Sequence, residues 1–284
     1  MNPVSLESLI EAGAQVYSLP QVLQQVNELL DDPNASHGHI GQVLSHDSAM
    51  TARVLKLVNS SFYGLPGRVD SISRAITLLG ARELRDLLTT TWVLKAFHKI
   101  PRELIDMAAF WRHSVYVAAL AKPIARHAGV LHTERMFVAG MLHDIGKPLI
   151  YAQLPDLARS VLLISEGDSG TEIAAEQEIL GFTHAEAGAG LLRAWGLPQS
   201  LIESTLHHHQ PGQAKDYALE AAVIHAANAV ANGEEHFHKP AQYIPHIEPA
   251  TRTLIQWDSL DLPALLLEAG EAFESALSLL DPAN

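Results

Sequence analysis

The chain has 284 residues, 48% of them hydrophobic and 18% charged, and contains no cysteine. That length can bury a substantial core, and the missing thiols exclude disulfides and thiolate zinc sites, leaving imidazole, carboxylate and water as metal ligands. Nineteen Lys and Arg against 32 Asp and Glu give a formal charge of −13, which opposes a phosphate backbone and argues against a nucleic-acid partner. No apolar run reaches the roughly 18 residues of a membrane span. The first fifteen residues carry Glu7 and Glu11 and lack the basic start and apolar core of a secretory signal. A cytoplasmic location is therefore expected.

Apolar residues recur three and four apart along nearly the whole chain, which predicts an all-α fold. The first predicted helix opens at Pro20 and stops at Asp31-Asp32-Pro33. Ser36 can cap a helix through Leu44, Asp47 one through Val58, and Ser71 one that ends at Gly80, after which a longer helix runs to about Phe97. These form an expected N-terminal helical unit, residues 1–100. Pro101 cannot continue the preceding helix but can start the next, so the boundary is placed at Lys99-Ile100-Pro101.

Beyond it, helices are expected from about Arg102 to His127 and from His132 to about Lys147. Thr183-His184-Ala185-Glu186 reads as a capping box opening a helix that ends at Gly196. Pro198 restarts the chain into Leu206, and a helix from Asp216 to Ala231 closes a second unit, residues 101–232. In residues 233–284, a loop from Asn232 to Pro249 is expected to lead to an apolar-rich helix from Leu262 to Leu280.

Sixteen histidines are the unusual feature. The strongest local signal is Met141-Leu142-His143-Asp144-Ile145-Gly146-Lys147, because on a helix His143, Asp144 and Lys147 would turn towards one side. A second His-Asp pair, His46-Asp47, is better explained by Asp47 as an N-cap. His113 lies on a helix otherwise rich in Val and Ala, where a buried, hydrogen-bonded histidine is the simpler account when it is taken alone. His184 occupies the first turn of the capped helix, and His207-His208-His209 ends the next, where the helix dipole also favours histidine. His207 is assigned to that solvated helix end. Imidazoles with one carboxylate suit iron, manganese, zinc or nickel, and two such ions could clamp a phosphoryl group around a bridging hydroxide, with Asp144 shared between them.

Taken together, His113, His143, Asp144, His184, His208 and His209 have the order and spacing of the HD phosphohydrolase superfamily. From about Leu19 to Asn232 the chain resembles one branch of it, the HDOD (HD-related output domain) family. That resemblance rests on the stretch from Ser45 to Ser60 and on Arg74-Ala75-Ile76-Thr77-Leu78-Leu79-Gly80. It continues in Trp111-Arg112-His113-Ser114, Gly140 to Gly146, His184 to Ala189, Trp195-Gly196-Leu197-Pro198 and His208-His209-Gln210-Pro211. The family implies an N-terminal helical subdomain packed on an HD-like helical bundle, and a bacterial signal-transduction output, as in response regulators. It further implies action on a signalling protein or small ligand, with a homodimer as an option, and mostly without demonstrated catalysis. Asn59 and Arg74 recur in the family motif, but a helix end and a surface salt bridge account for them.

Two departures bear on activity. Where active relatives place a late aspartate, this chain has Asn228, which removes one anionic ligand and makes one metal more plausible than two. His208-His209 leads into Gln210-Pro211-Gly212, without the Gly-Tyr-Pro signature of cyclic-di-GMP phosphodiesterases. The expected metal set is His113, His143, Asp144, His184, His208, His209 and Asn228, holding one or two divalent transition metals. The leading expectation is a non-catalytic signalling domain with a residual metal site. The alternative is a metal-dependent phosphohydrolase in which Asp144 and the histidines hold metal and Lys147 steadies phosphate charge. A metal-free, pH-sensitive histidine cluster ranks third.

Overall fold

The computed structural model describes residues 5–60, 63–65, 67–97, 100, 103–165, 169–236 and 247–277. Among these residues there are helices and turns but no strand. None of their helices is long and apolar enough to cross a membrane.

Reading the first helix from Pro20 misses α1 (Leu6–Val16), which Ser5 caps by accepting from the Ser8 amide at 3.2 Å. This helix packs on elements far along the chain, with Tyr17 O accepting from Trp195 Nε1 at 2.9 Å. It thus lies against helices from the second half of the chain. The next helices follow their caps: α2 (Gln21–Asp31), α3 (His37–Ser45), α4 (Ser48–Val58), α5 (Ile72–Leu79) and α6 (Ala81–Ala96). Ser36 accepts from the His39 amide, Asp47 from Met50 and Ser71 from Arg74. Asp47 is thus the cap its sequence context suggested. Asn59 staples the α4–α5 connection, donating to Leu55 O and Val69 O and accepting from the Val69 amide, each at 2.7 Å.

The second half is built around α7 (Met107–His127), whose Val115, Val117, Ala118, Leu120, Ala121 and Ile124 are fully buried. It starts later than predicted because Asp106, not Pro101, is the cap, its carboxylate accepting from the Ala108 and Ala109 amides. Lys99, Pro101 and Arg102 lie outside the described residues. Then come α8 (Thr133–Leu142), α9 (Gly146–Gln153), α10 (Pro155–Ser165), α11 (Ser169–Ile179), α12 (His184–Ala194), α13 (Gln199–His207), α14 (Ala218–His236), α15 (Pro249–Leu254) and α16 (Leu262–Leu277). Helix α14 continues five residues past Ala231, so the loop expected from Asn232 begins inside a helix, as does the unit boundary at 232. The last helix is seen to Leu277, its predicted end at Leu280 lying outside the described residues.

Two glycines set the helix spacing on which the site depends. A Cβ on Gly140 of α8 would sit 2.5 Å from Ala118 Cα of α7, so only glycine allows these helices to approach this closely. A Cβ on Gly146 at the start of α9 would meet the His184 carbonyl oxygen at 1.9 Å and the Gly188 amide nitrogen at 2.7 Å. The first contact draws the end of α8 against α7, and the second draws α9 against the start of α12.

Candidate metal centre

The predicted continuous helix from His132 to Lys147 is interrupted. Helix α8 ends at Leu142, and a tight turn with Ile145 N to Leu142 O (3.1 Å) and Lys147 N to Asp144 O (2.9 Å) precedes α9. The close approaches at Gly140 and Gly146 flank this turn, α8 keeping its contact with α7 and α9 its contact with α12. His143 and Asp144 sit on this turn with buried side chains. Helix α7 supplies His113 and α14 supplies Asn228. His184 is held in the first turn of α12 by the reciprocal cap between Thr183 and Glu186. His208 ends α13, and His209 follows it.

These residues, separated by up to 115 positions, converge (His113 and Asn228). Asp144 lies at the centre: its Oδ1 is 3.2 Å from His184 Nε2 and 3.3 Å from His208 Nε2, while its Oδ2 is 3.5 Å from His143 Nε2 and 2.9 Å from Lys147 Nζ. His184 Nε2 is 2.9 Å from His209 Nε2, and the His208 and His209 rings are 3.9 Å apart. His113 Nε2 is 3.1 Å from Asn228 Oδ1, and its ring centroid is 5.6 Å from that of His143. Two donor groups share Asp144: Asp144, His184, His208 and His209 in one, His113, His143 and Asp144 in the other, the ligand atoms within each group lying inside 4.8 Å. His207, the last residue of α13, contacts Glu203 at 3.5 Å rather than Asp144.

The outward sides of the rings explain which nitrogens face inward. His143 Nδ1 is 2.7 Å from Gly140 O and His208 Nδ1 is 2.7 Å from Thr205 O. A carbonyl only accepts, so each Nδ1 carries the proton and each Nε2 presents a lone pair. His184 Nδ1 lies 2.9 and 2.8 Å from the two oxygens of Glu176, which also accepts from the His184 amide at 2.8 Å. Three inward atoms, His143 Nε2, Asp144 Oδ1 and His208 Nε2, are buried without a hydrogen-bond partner. Buried polar atoms are normally paired, and several acceptors facing one point fit a cation there. The residues present therefore suit a metal ion.

Charge agrees with that geometry. Burial pushes the His143 imidazole down to about 3 and also lowers His208 and His209, leaving them neutral at physiological pH. Burial would raise the Asp144 carboxyl, but the Lys147 charge, together with His184, outweighs it and holds it well below the usual range. His184 is the exception: burial lowers it, yet the charge of Glu176 prevails and lifts it to about 9. Lys147 stays charged despite burial because Asp144 and Glu172, the latter at 3.0 Å, face it. A cavity of about 290 Å³ opens above the cluster, walled by Ile105 and Phe110 on one side and by Lys147, Tyr151, Asn228 and Asn232 on the other.

Sequence reasoning missed Glu172, Glu176, His225 and Asn232. Glu172 and Glu176 stand four apart on α11, which places them on one face, but Glu178 on the same helix offered no contrast from sequence alone. His225 reaches the site through backbone, its Nδ1 lying 2.8 Å from His208 O, and Asn232 Nδ2 donates to Asn228 Oδ1 at 3.1 Å.

The HDOD domain model matches residues 16–211, most of the chain. The chain belongs to the HDOD family. An uncharacterised protein of Treponema pallidum (strain Nichols) is 27% identical over 234 residues, 78% of this chain and 43% of that protein. Ribonuclease Y of Thermus thermophilus is 26% identical over 161 residues, 56% of this chain and 23% of the enzyme. The chain thus spans less than half the length of either relative. Among solved structures, a Shewanella amazonensis chain described as a "putative phosphohydrolase" superposes with a TM-score of 0.74 at 24% identity, covering 96% of this chain and 98% of that one. An HDOD protein of unknown function from Geobacter sulfurreducens gives 0.70 at 24%, covering 98% and 100%. These two similarities show the shared helical fold.

Proposed function

We propose that this HDOD chain is a cytoplasmic signal-transduction domain that binds a divalent transition metal at the Asp144 centre and acts by recognising a protein or small ligand rather than by turnover. The supporting observation is the set of buried ligand atoms on His143, Asp144 and His208 that face one another without forming a hydrogen bond, the His143 and His208 imidazoles locked from behind in the metal-ready tautomer. His184 and His209 complete the first donor group, and His113 with His143 the second. A bound metal would supply a Lewis acid beside the cavity.

Two features favour recognition over hydrolysis. Asn228 brings a neutral amide where a carboxylate would help hold a second ion, and its oxygen already serves His113 and Asn232. Lys147 is paired with both Asp144 and Glu172, so its charge is largely neutralised before any phosphate arrives. The second reading, a metal-dependent phosphohydrolase, draws on the cavity above the centre and on Lys147 lining it. Elemental analysis after growth with iron and manganese, coupled with hydrolysis of bis(p-nitrophenyl) phosphate, separates them. Near one equivalent of metal without turnover is expected. Metal-dependent turnover abolished by His143→Ala and by Asp144→Ala would establish the second reading, and metal-free protein would overturn both.

A further inference from the structure

We propose that His225 is a positioning residue that couples the C-terminal segment beyond residue 247 to the metal centre, an inference that rests on the metal reading above. His225 sits on α14, one turn before Asn228 and on the same face, so the helix touches the centre twice. Its Nδ1 is 2.8 Å from His208 O, and a carbonyl only accepts, so Nδ1 donates. Its Nε2 accepts from the Glu248 amide at 3.2 Å. One neutral tautomer satisfies both bonds.

The carbonyl that His225 holds belongs to the peptide joining His208 to His209. His208 is already fixed on its ring side by Thr205 O. With its carbonyl also held, the peptide plane cannot rotate, and the His209 side chain that hangs from it stays against His208 and His184. The other bond goes to Glu248, the residue that caps α15. Residues 247–277 lie beyond the 16–211 match, so one imidazole links a segment outside the family match to two metal ligands inside it. Loss of a partner behind a metal ligand typically weakens metal binding by about 10- to 100-fold.

The two bonds can be cut separately in the full chain. In His225→Asn the amide N–H stands near Nδ1 and keeps the bond to His208 O, whereas in His225→Gln the amide oxygen stands near Nε2 and keeps only the bond from Glu248. Stripped protein titrated with Co(II) should give an affinity about tenfold weaker for His225→Gln with an altered visible absorption band. His225→Asn, which keeps the His208 bond but loses the one from Glu248, should show a smaller, still measurable loss, and wild-type affinity there would overturn the coupling. In the wild type, Co(II) loading should slow hydrogen exchange of the Glu248 amide, since coupling is reciprocal. Unchanged affinity in His225→Gln, or equal loss in both variants, overturns the positioning role while the metal reading stands. If His225→Gln does not fold, the wild-type Glu248 exchange decides alone: slowing supports the coupling, and no change overturns it. Wild-type protein that takes up no Co(II) overturns the metal reading and this coupling with it.

Discussion

Glu176 offers the sharpest test of how this centre is held. It is 2% exposed and meets His184 at three contacts, two from Nδ1 and one from the amide. Glu176→Gln preserves shape but replaces one acceptor oxygen with a donor. The amide NH2 must then face either the imidazole N–H or the backbone N–H, and a buried donor left unpaired costs about 1–3 kcal/mol. With Glu176 present the metal-free ring is charged, and a metal would take the place of its Nε2 proton; without that carboxylate the ring keeps one proton, and holding it on Nε2 to relieve the Nδ1 clash removes the lone pair from the inward side, where a metal would sit. Either way the cation site weakens, by about 10- to 100-fold in affinity, or roughly 1.4–2.7 kcal/mol. Competition titration of stripped protein with Co(II) or Mn(II) against a chelator measures this directly. Wild-type protein that binds metal while Glu176→Gln binds it within twofold would refute the argument, because the tautomer lock would then carry no weight.

The remaining predictions concern the scaffold. Asp86 on α6 is buried, with neither carboxyl oxygen hydrogen-bonded and Arg135 Nε at 3.4 Å without hydrogen-bond alignment; burial, reinforced by Glu83, outweighs Arg135 and lifts its pKa to about 7. A raised carboxyl pKa means that the folded protein binds more protons than the unfolded chain between about pH 4 and 7, so this group's stabilisation is present at low pH and lost as pH rises through 7. Asp86→Asn should therefore raise Tm at pH 8, by up to about 4 kcal/mol in free energy, and much less at pH 5; an equal shift at both pH values would contradict it. Gly146→Ala must push a methyl group into the His184 carbonyl and should destabilise the fold by about 3 kcal/mol or more, which thermal melting would register as a large drop in Tm; an unchanged Tm would show that α9 and α12 can separate freely.

Much of the secondary structure was legible in the sequence because it is decided locally. Ser36, Asp47, Ser71 and Thr183 cap the helices they precede, since a side-chain oxygen reaching an amide two or three residues on needs nothing from the rest of the chain. Even the ligand types were visible, because a cysteine-free chain with a His-Asp pair and ordered histidines has few other ways to hold a metal. The reading failed at two starts: α1 was overlooked although Ser5 caps it as Ser36 caps α3, and Asp106 displaced Pro101 as the start of α7.

The convergence itself was a tertiary decision. No periodicity shows that α8 stops at Leu142 or that α9, starting at Gly146, packs against the first turn of α12. Nor does spacing reveal that Glu176 rather than Glu178 backs His184, or that His225 holds the His208 carbonyl, since these pairings depend on which helix faces lie together. The sequence alone determined which side chains could bind a cation. Only the packing of distant helices, bringing buried lone pairs to one point, decided that they could do so together.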